Sequence, residues 1–185
     1  PYLKGDCAPE TYPRLVMCPN EVSIARSRRQ LYPYSRFYEA ASLTANSEVP
    51  AQTADYAKYD ELERGKIAKC AALVALMENN QAMARKGISL LSEIRSDWSI
   101  SDITMFDAFI RISGTLVNSL GAYDLLKGVG LLTPEQDELI QHNLGAVAQK
   151  LYDDWVLGSG SFMIEMCENN YNLKLSSSLG TAALM

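Results

Sequence analysis

The sequence is poor in the residues that usually build metal and cofactor sites. Its 185 residues include only one His, four Cys and two Trp, and no two Cys form a C-x-x-C pair. No group of His, Asp or Glu residues has the spacing of metal ligands. We therefore expect neither a metal site nor a cofactor.

Long apolar runs and an excess of positive charge are also missing. No apolar stretch approaches the roughly twenty residues that span a bilayer, and no charged-then-apolar signal segment opens the chain. The formal net charge of −5 argues against a broad nucleic-acid surface. We interpret Arg26, Arg28 and Arg29 as the solvated face of a helix. Pro1 is not an initiator residue, which fits removal of a leader and a periplasmic or secreted protein.

Helical periodicity is what the sequence does contain. Residues 1–19 carry four of the seven Pro and are predicted to form an irregular lead-in. Short helices are expected over residues 20–31 and 34–43, followed by a polar loop over 44–52.

From residue 54 the helices become longer. The spacing predicts two antiparallel helices over 54–95, joined at Asn79-Asn80, and a helix over 103–127 that Gly128 and Gly130 end. Thr133-Pro134-Glu135-Gln136 predicts a capped start for a helix that reaches about residue 157, and a last helix begins near Asn172. With no convincing strand, the sequence predicts an all-α fold of consecutive antiparallel helix hairpins, arranged as a bundle, a solenoid or a toroid.

Several single residues allow two interpretations. Cys7 and Cys18 could form a disulfide in an oxidising compartment, whereas Cys70 and Cys167 are expected to be buried thiols. His142 is interpreted as a surface or packing residue. The aromatic residues that could line a sugar cleft are expected instead to lie in the core; they are Trp98, Phe106, Phe109 and Tyr123.

Three segments carry a resemblance to a known family. The first is Tyr12-Pro13-Arg14-Leu15-Val16-Met17 with Pro19-Asn20-Glu21. The second is Gly121-Ala122-Tyr123-Asp124-Leu125-Leu126 with Leu132-Thr133-Pro134-Glu135-Gln136. The third is Asn169-Asn170-Tyr171-Asn172 with Ser178-Leu179-Gly180-Thr181-Ala182-Ala183-Leu184. In this order and spacing, the chain resembles the N-terminal helical region of the heparinase II/III-like, alginate-lyase-like polysaccharide lyases.

The resemblance implies that residues 20–185 are part of an incomplete (α/α) toroid. Members of the family continue into β-sandwich domains, so we expect this domain to be cut at its C-terminal end, inside a helix. A partial toroid leaves one helix face uncovered. The expected partners are therefore the missing C-terminal part of the same protein or a second copy, together with an acidic polysaccharide.

The resemblance also implies a reaction and its residues. Such lyases cleave uronic-acid-containing glycans by β-elimination, which requires that charge on the uronate carboxylate be stabilised while a proton leaves C5. Asn170 matches the catalytic amide, and Asn169, Tyr171 and Asn172 match substrate-binding positions, whereas the family's catalytic Tyr and second His correspond to nothing in this chain. Residues alone allow Asn170 or Asn172 to be a helix cap. They also allow a non-catalytic carbohydrate-binding domain or a helical-repeat protein-interaction module.

Overall fold

The computed structural model describes residues 11–52, 60–98, 106–157 and 170–184, with the backbone alone for 106–110 and 170–175. These ranges contain seven α-helices and no strand, so the all-α prediction is confirmed. The helices are α1 (Pro19–Arg28), α2 (Tyr34–Asn46), α3 (Asp60–Glu78), α4 (Gln81–Ser92), α5 (Phe106–Val129), α6 (Pro134–Tyr152) and α7 (Asn170–Ala183). A π-helical turn, Asp153–Leu157, prolongs α6.

Local chemistry explains the predicted helix ends. Asn79 has the left-handed φ of 55° that a tight turn between helices requires. Asn80 caps α4, because its Oδ1 accepts hydrogen bonds from the backbone N–H groups of Ala82 and Met83. Thr133 caps α6 through a capping box with Gln136. Gly130, with a φ of 73°, follows the last residue of α5.

Other helix ends differ from the prediction. The helix α1 ends at Arg28 rather than at 31, and α4 ends at Ser92 rather than at 95. The helix α2 continues to Asn46 instead of ending at 43, because Ala45 is buried against Ala71 and Val74 of α3. Polar composition therefore suggested a loop where tertiary packing extends a helix.

The helices α3 and α5 lie side by side and run in the same direction. A β-carbon placed on Gly114 would lie 2.9 Å from Leu62, and one placed on Gly121 would lie 3.0 Å from Lys69. Residues later in α3 therefore contact residues later in α5, as parallel helices require. The approach is close because Gly65 of α3 has no side chain; a β-carbon there would lie 3.3 Å from the carbonyl oxygen of Thr115.

The helices α4 and α6 run in the opposite direction. The short Asn79-Asn80 turn folds α4 back along α3. Asp137, at the start of α6, contacts Tyr123 and Lys127 near the end of α5, whereas Val147, later in α6, lies near Ile112 in the first half of α5. The main core forms between these four helices, with fully buried Leu91, Leu116, Leu125, Leu126, Ile140 and Leu151.

The helix α7 packs on α5 and α6. Its Ala182 lies beside Leu120 and Tyr123, so its C-terminal end meets the second half of α5. From the extensive contact between the two helices we infer that α7 runs back along the first half of α5, parallel to it. Thus α3, α5 and α7 share one direction, and α4 and α6 have the other. Closure of these helices into a toroid stays a prediction.

No helix in the described part of the chain combines the length and apolar character that crossing a membrane requires.

Candidate functional site

The predicted amide cluster lies at the start of α7. The helix begins at Asn170, two residues before the predicted start, so Asn170, Tyr171 and Asn172 occupy its first turn. Neither Asn170 nor Asn172 is therefore a cap, since a capping residue precedes the first turn. Asn169 lies outside the described residues, and the structure describes the backbone but not the side chains of the other three.

Two of the three segments that carry the family resemblance meet at Asp124. This side chain is fully buried in α5. Its Oδ1 accepts a hydrogen bond from the backbone N–H of Arg14 at 2.7 Å, and its Oδ2 accepts two from those of Leu15 and Val16 at 3.0 Å. A buried carboxylate needs such donors, so Asp124 holds the lead-in segment against the helices.

The third segment, which includes the end of α7, is bound to the same lead-in segment. The Nη2 of Arg14 donates a hydrogen bond to the carbonyl oxygen of Leu184 at 3.1 Å, which ties the lead-in to the end of α7. Pro13 packs so closely on α5 that a β-carbon at Gly128 would lie 2.5 Å from its Cδ. Within the first two segments, Pro13, Arg14 and Asp124 therefore have a structural role, since they anchor the lead-in to the helices.

A polar network joins α5 to α6 beside this anchor. The Tyr123 hydroxyl donates to Asp137 Oδ1 at 2.7 Å, and Lys127 Nζ lies 2.8 Å from Asp137 Oδ2. Burial and then the bond to Asp137 raise the pKa of Tyr123. For Asp137, burial acts upward, but Lys127 and Tyr123 outweigh it and lower the pKa. Tyr123 is thus a protonated core residue, as predicted, and it is unsuited to act as a base.

A second group of charged residues lies at the opposite end of α3 and α5. Glu61, Arg95, Trp98 and Arg111 surround a cavity of ≈ 10 Å³, which has room for about one water molecule. Glu61 Oε1 is buried and accepts no hydrogen bond from the described residues. Burial raises the pKa of Glu61, and the nearby Arg64 and Arg95 oppose the rise only in part. We call these four residues the α3 N-terminal cluster.

The surroundings of this cluster are also charged. Trp98 is buried in the core, as predicted, and its Nε1 donates to Asp154 Oδ2 at 2.9 Å. Lys150 Nζ lies 3.3 Å from the same carboxylate oxygen and 5.4 Å from the centre of the Trp98 ring. Arg64, which is buried, forms an ion pair with Glu93. This end of the helices therefore holds both signs of charge around an aromatic ring.

The direction of α7 brings its first residue to this same end. Because α3, α5 and α7 run parallel, Asn170 lies at the N-terminal end of the helix group, where Glu61 also lies. The free N–H groups at the start of a helix favour an anion. The shared direction thus brings the backbone at the start of α7 to the same end of the fold as the guanidinium and carboxyl groups of the α3 N-terminal cluster.

The sequence analysis missed the α3 N-terminal cluster, although one signal was available. Glu61 precedes Gly65, Ala68 and Ala72 at helical spacing, and these three residues are buried. An acidic residue on the apolar face of a helix requires an explanation. Arg95 and Arg111 gave no such signal, because they come from separate segments that meet only in the folded chain.

The remaining predicted residues have simpler positions. His142 lies on the exposed face of α6, as predicted, and the side chains of Phe106 and Phe109 lie outside the described residues. Arg28 is exposed, but Arg26 is not part of a solvated face, because it donates to the carbonyl oxygen of Leu76 and to Asn79.

The cysteines also divide into two kinds. Cys18 is disulfide-bonded, whereas Cys70 is a free, half-buried thiol whose pKa is raised by burial. Cys7 and Cys167 lie outside the described residues. Over the ranges that the structure describes, no three His, Cys, Asp or Glu residues are grouped to hold a metal ion.

Comparison with protein-family models and with curated proteins finds no match to this chain.

Proposed function

We propose that the chain is the helical part of a polysaccharide lyase that cleaves uronic-acid-containing glycans by β-elimination. One arrangement supports the proposal. With α7 inferred to run parallel to α3 and α5, its start at Asn170 lies at the end where Glu61, Arg95 and Arg111 gather. Parallel helices that alternate with antiparallel ones are also what an (α/α) toroid requires.

The reaction needs positive potential at the carboxylate of the sugar. Removal of the C5 proton moves charge onto that carboxylate, and fixed donors aimed at the developing charge lower the barrier. An amide at Asn170 and the first N–H groups of α7 would supply such donors. In this proposal Asn169 and Asn172 bind the substrate, and Tyr171 stacks on a sugar ring.

The described residues provide no obvious base for the C5 proton. The Tyr123 hydroxyl is hydrogen-bonded to Asp137, and His142 is exposed on α6. The proposal therefore assigns the proton transfers to the family's Tyr and His, which correspond to no residue of this chain. A partner that completes the site, either the rest of the same protein or a second copy, belongs to the proposal.

The disulfide at Cys18 supports a periplasmic or secreted location, since disulfides persist in oxidising compartments. Because the net charge is −5, the overall electric field of the chain does not attract an acidic glycan. Binding of the glycan must therefore depend on local clusters of arginine and amide groups.

The proposal is tested on the full protein with uronate polysaccharides, by following the unsaturated product at about 232 nm. Replacing Asn170 with Ala should lower turnover about hundredfold or more, the usual effect of losing one such donor. Asn20→Ala, an exposed residue near the start of α1, is the matched control and should retain full activity. Absence of product from every uronate polymer, or equal activity of N170A and N20A, would refute the proposal.

A further inference from the structure

A groove on the far side of α3 has no role in the proposed reaction. It lies between α1, α2 and α3 and has a volume of ≈ 340 Å³, within the range of sites for small ligands. Leu73 and Met77 form its floor, Ile24 lines one wall, and Tyr34, Phe37 and Tyr38 line the other. We call it the α1–α2 groove.

The aromatic side chains of residues 19–46, which comprise α1, α2 and the turn between them and are called the α1–α2 hairpin below, are unusually exposed. Phe37 is 74% exposed and Tyr34 is 49% exposed, and the neighbouring Tyr32 is 78% exposed. Scattered exposed apolar residues are normal, but several in one short segment mark a binding surface. Flat rings also suit the C–H faces of sugars, while the hydroxyl groups of the sugar stay in water.

Positive charge exceeds negative charge along the same groove. Arg28 and Arg29 line it against one carboxylate, Glu21, whose Oε2 accepts a hydrogen bond from the backbone N–H of Cys18. Residues 11–52 contain five Arg and no Lys, against three Glu and no Asp, although the whole chain carries a net charge of −5. Arg28 lines the groove and is exposed, and its guanidinium has no hydrogen bond or ion pair within the described ranges. Arg29 lies over the Tyr38 ring and Arg36 over the Tyr32 ring, each at 5.9 Å.

We infer that the α1–α2 groove is a second binding site, for an anionic oligosaccharide. Rings of Tyr34 and Phe37 stack on sugar faces, and Arg28 pairs with a carboxylate or sulfate group. The positive hairpin on an otherwise negative chain supplies the charge complementarity that favours a polyanion. The choice of a glycan, rather than another anion with an apolar body, rests on the proposed function.

The groove is separate from the start of α7. Leu73 is twelve residues beyond Glu61 on α3, which corresponds to about 18 Å along the helix. The site would therefore hold a long chain at a distance from the bond that is cleaved. It should raise affinity for long polymers and leave the turnover of short oligomers unchanged.

The test is calorimetric titration of the full protein with a uronate hexamer and with a neutral glucose hexamer. Arg28→Ala and Phe37→Ala should each weaken uronate binding about tenfold. The matched controls are Arg85→Ala, an exposed Arg on α4, and Leu43→Ala, which is 69% exposed and lies outside the groove; both should bind as the parent does. Uronate binding should weaken as salt rises, and the neutral hexamer should not compete.

Three results would overturn the inference. The first is that R28A and R85A lose the same affinity for the uronate hexamer. The second is that the neutral hexamer binds as tightly as the uronate hexamer. The third is that the protein forms a dimer which F37A dissociates and the uronate hexamer does not. Failure of the two proposals is distinguishable, because N170A should slow the rise at 232 nm about hundredfold and leave groove binding intact. If the parent protein gives no 232 nm signal with any polymer but still binds the uronate hexamer in the groove, only the lyase proposal is refuted.

Discussion

The core helices and the α1–α2 hairpin are stabilised in different ways. The helix α3 has ten buried residues, most of them small or aliphatic, whereas α1 has none and α2 has only Ala45. The core is therefore held by apolar burial, whereas the hairpin buries little apolar surface beyond Ala45 and the partly buried Val22, Ala25 and Tyr38. The comparison teaches that aromatic content is no guide to burial here, since the hairpin is rich in exposed aromatic rings.

Polar contacts replace apolar burial at the hairpin. Arg26 donates from Nε and Nη2 to the carbonyl oxygen of Leu76, at 3.1 and 2.6 Å. Lys86 donates to the carbonyl oxygens of Ala45 and Ser47, and the Tyr38 hydroxyl donates to Glu78. These contacts orient the hairpin on α3 and α4 and leave its outer aromatic face uncovered.

The largest effect is expected where a polar anchor is part of the core. Asp124→Ala leaves three backbone N–H groups without their acceptor, each costing about 1–3 kcal/mol. Unfolding in urea should show a loss of about 4 kcal/mol, and the lead-in segment should become sensitive to protease. Asp153→Ala, an exposed carboxylate bound by Gln149, should change stability little. A loss below about 1 kcal/mol in D124A would mean that the lead-in is not anchored there.

A smaller effect is expected at the joint between hairpin and core. Arg26→Ala removes the donor pair from the Leu76 carbonyl and should cost about 2 kcal/mol, since these hydrogen bonds involve a charged donor. The neighbouring Arg28→Ala should be neutral in the same urea titration because its guanidinium has no partner in the described ranges. Equal stability of the two variants would show that the joint depends on shape rather than on Arg26.

At the N-terminal end of α3, the free energy of unfolding should depend on pH through the carboxyl group of Glu61. Its pKa is raised in the folded state, so folding favours the protonated form and stability falls as pH rises from about 4. Glu61→Gln should therefore be more stable than the parent at pH 7. The gain should shrink below pH 4, where the parent is protonated as well. Parallel stability curves of E61Q and the parent between pH 3 and 8 would contradict this assignment.

The smallest effect is expected on the outer face of the hairpin. Phe37→Ala should change the free energy of unfolding by less than about 0.5 kcal/mol, because the ring is already exposed to water. Leu126→Ala, in the core, should cost about 3 kcal/mol by comparison. A large loss in F37A would show that the ring packs against something in solution, such as a second copy.

Local signals in the sequence predicted much of the fold. Thr133-Pro134 and Asn80 determine helix starts by hydrogen bonding or by backbone conformation, so those starts were predicted correctly. The end of α5 was predicted two residues too early, because Gly128 lies inside the helix and only Gly130 follows its last residue. The extension of α2 to Asn46 was not predicted, because it depends on Ala45 meeting Ala71 and Val74. The role of Asp124 was missed for the same reason, since its donors lie more than a hundred residues away.

The candidate site likewise contains residues that the sequence indicated and residues that only the folded structure brings together. The sequence drew attention to Asn170 through a resemblance, and the start of a helix was expected within two residues of it. It gave no means of finding Arg95 and Arg111 as neighbours of Glu61. Ion clusters formed by separate helices depend on the order and direction in which those helices pack.

The sequence by itself determined the helical character of this protein, because helix periodicity, caps and terminating glycines act within a few residues of each other. Only the tertiary structure decided which helices run parallel, which carboxylate holds the lead-in, and which aromatic rings stay in water. The physical reason is that burial and charge pairing depend on distances in space, and a linear pattern of residues does not contain them.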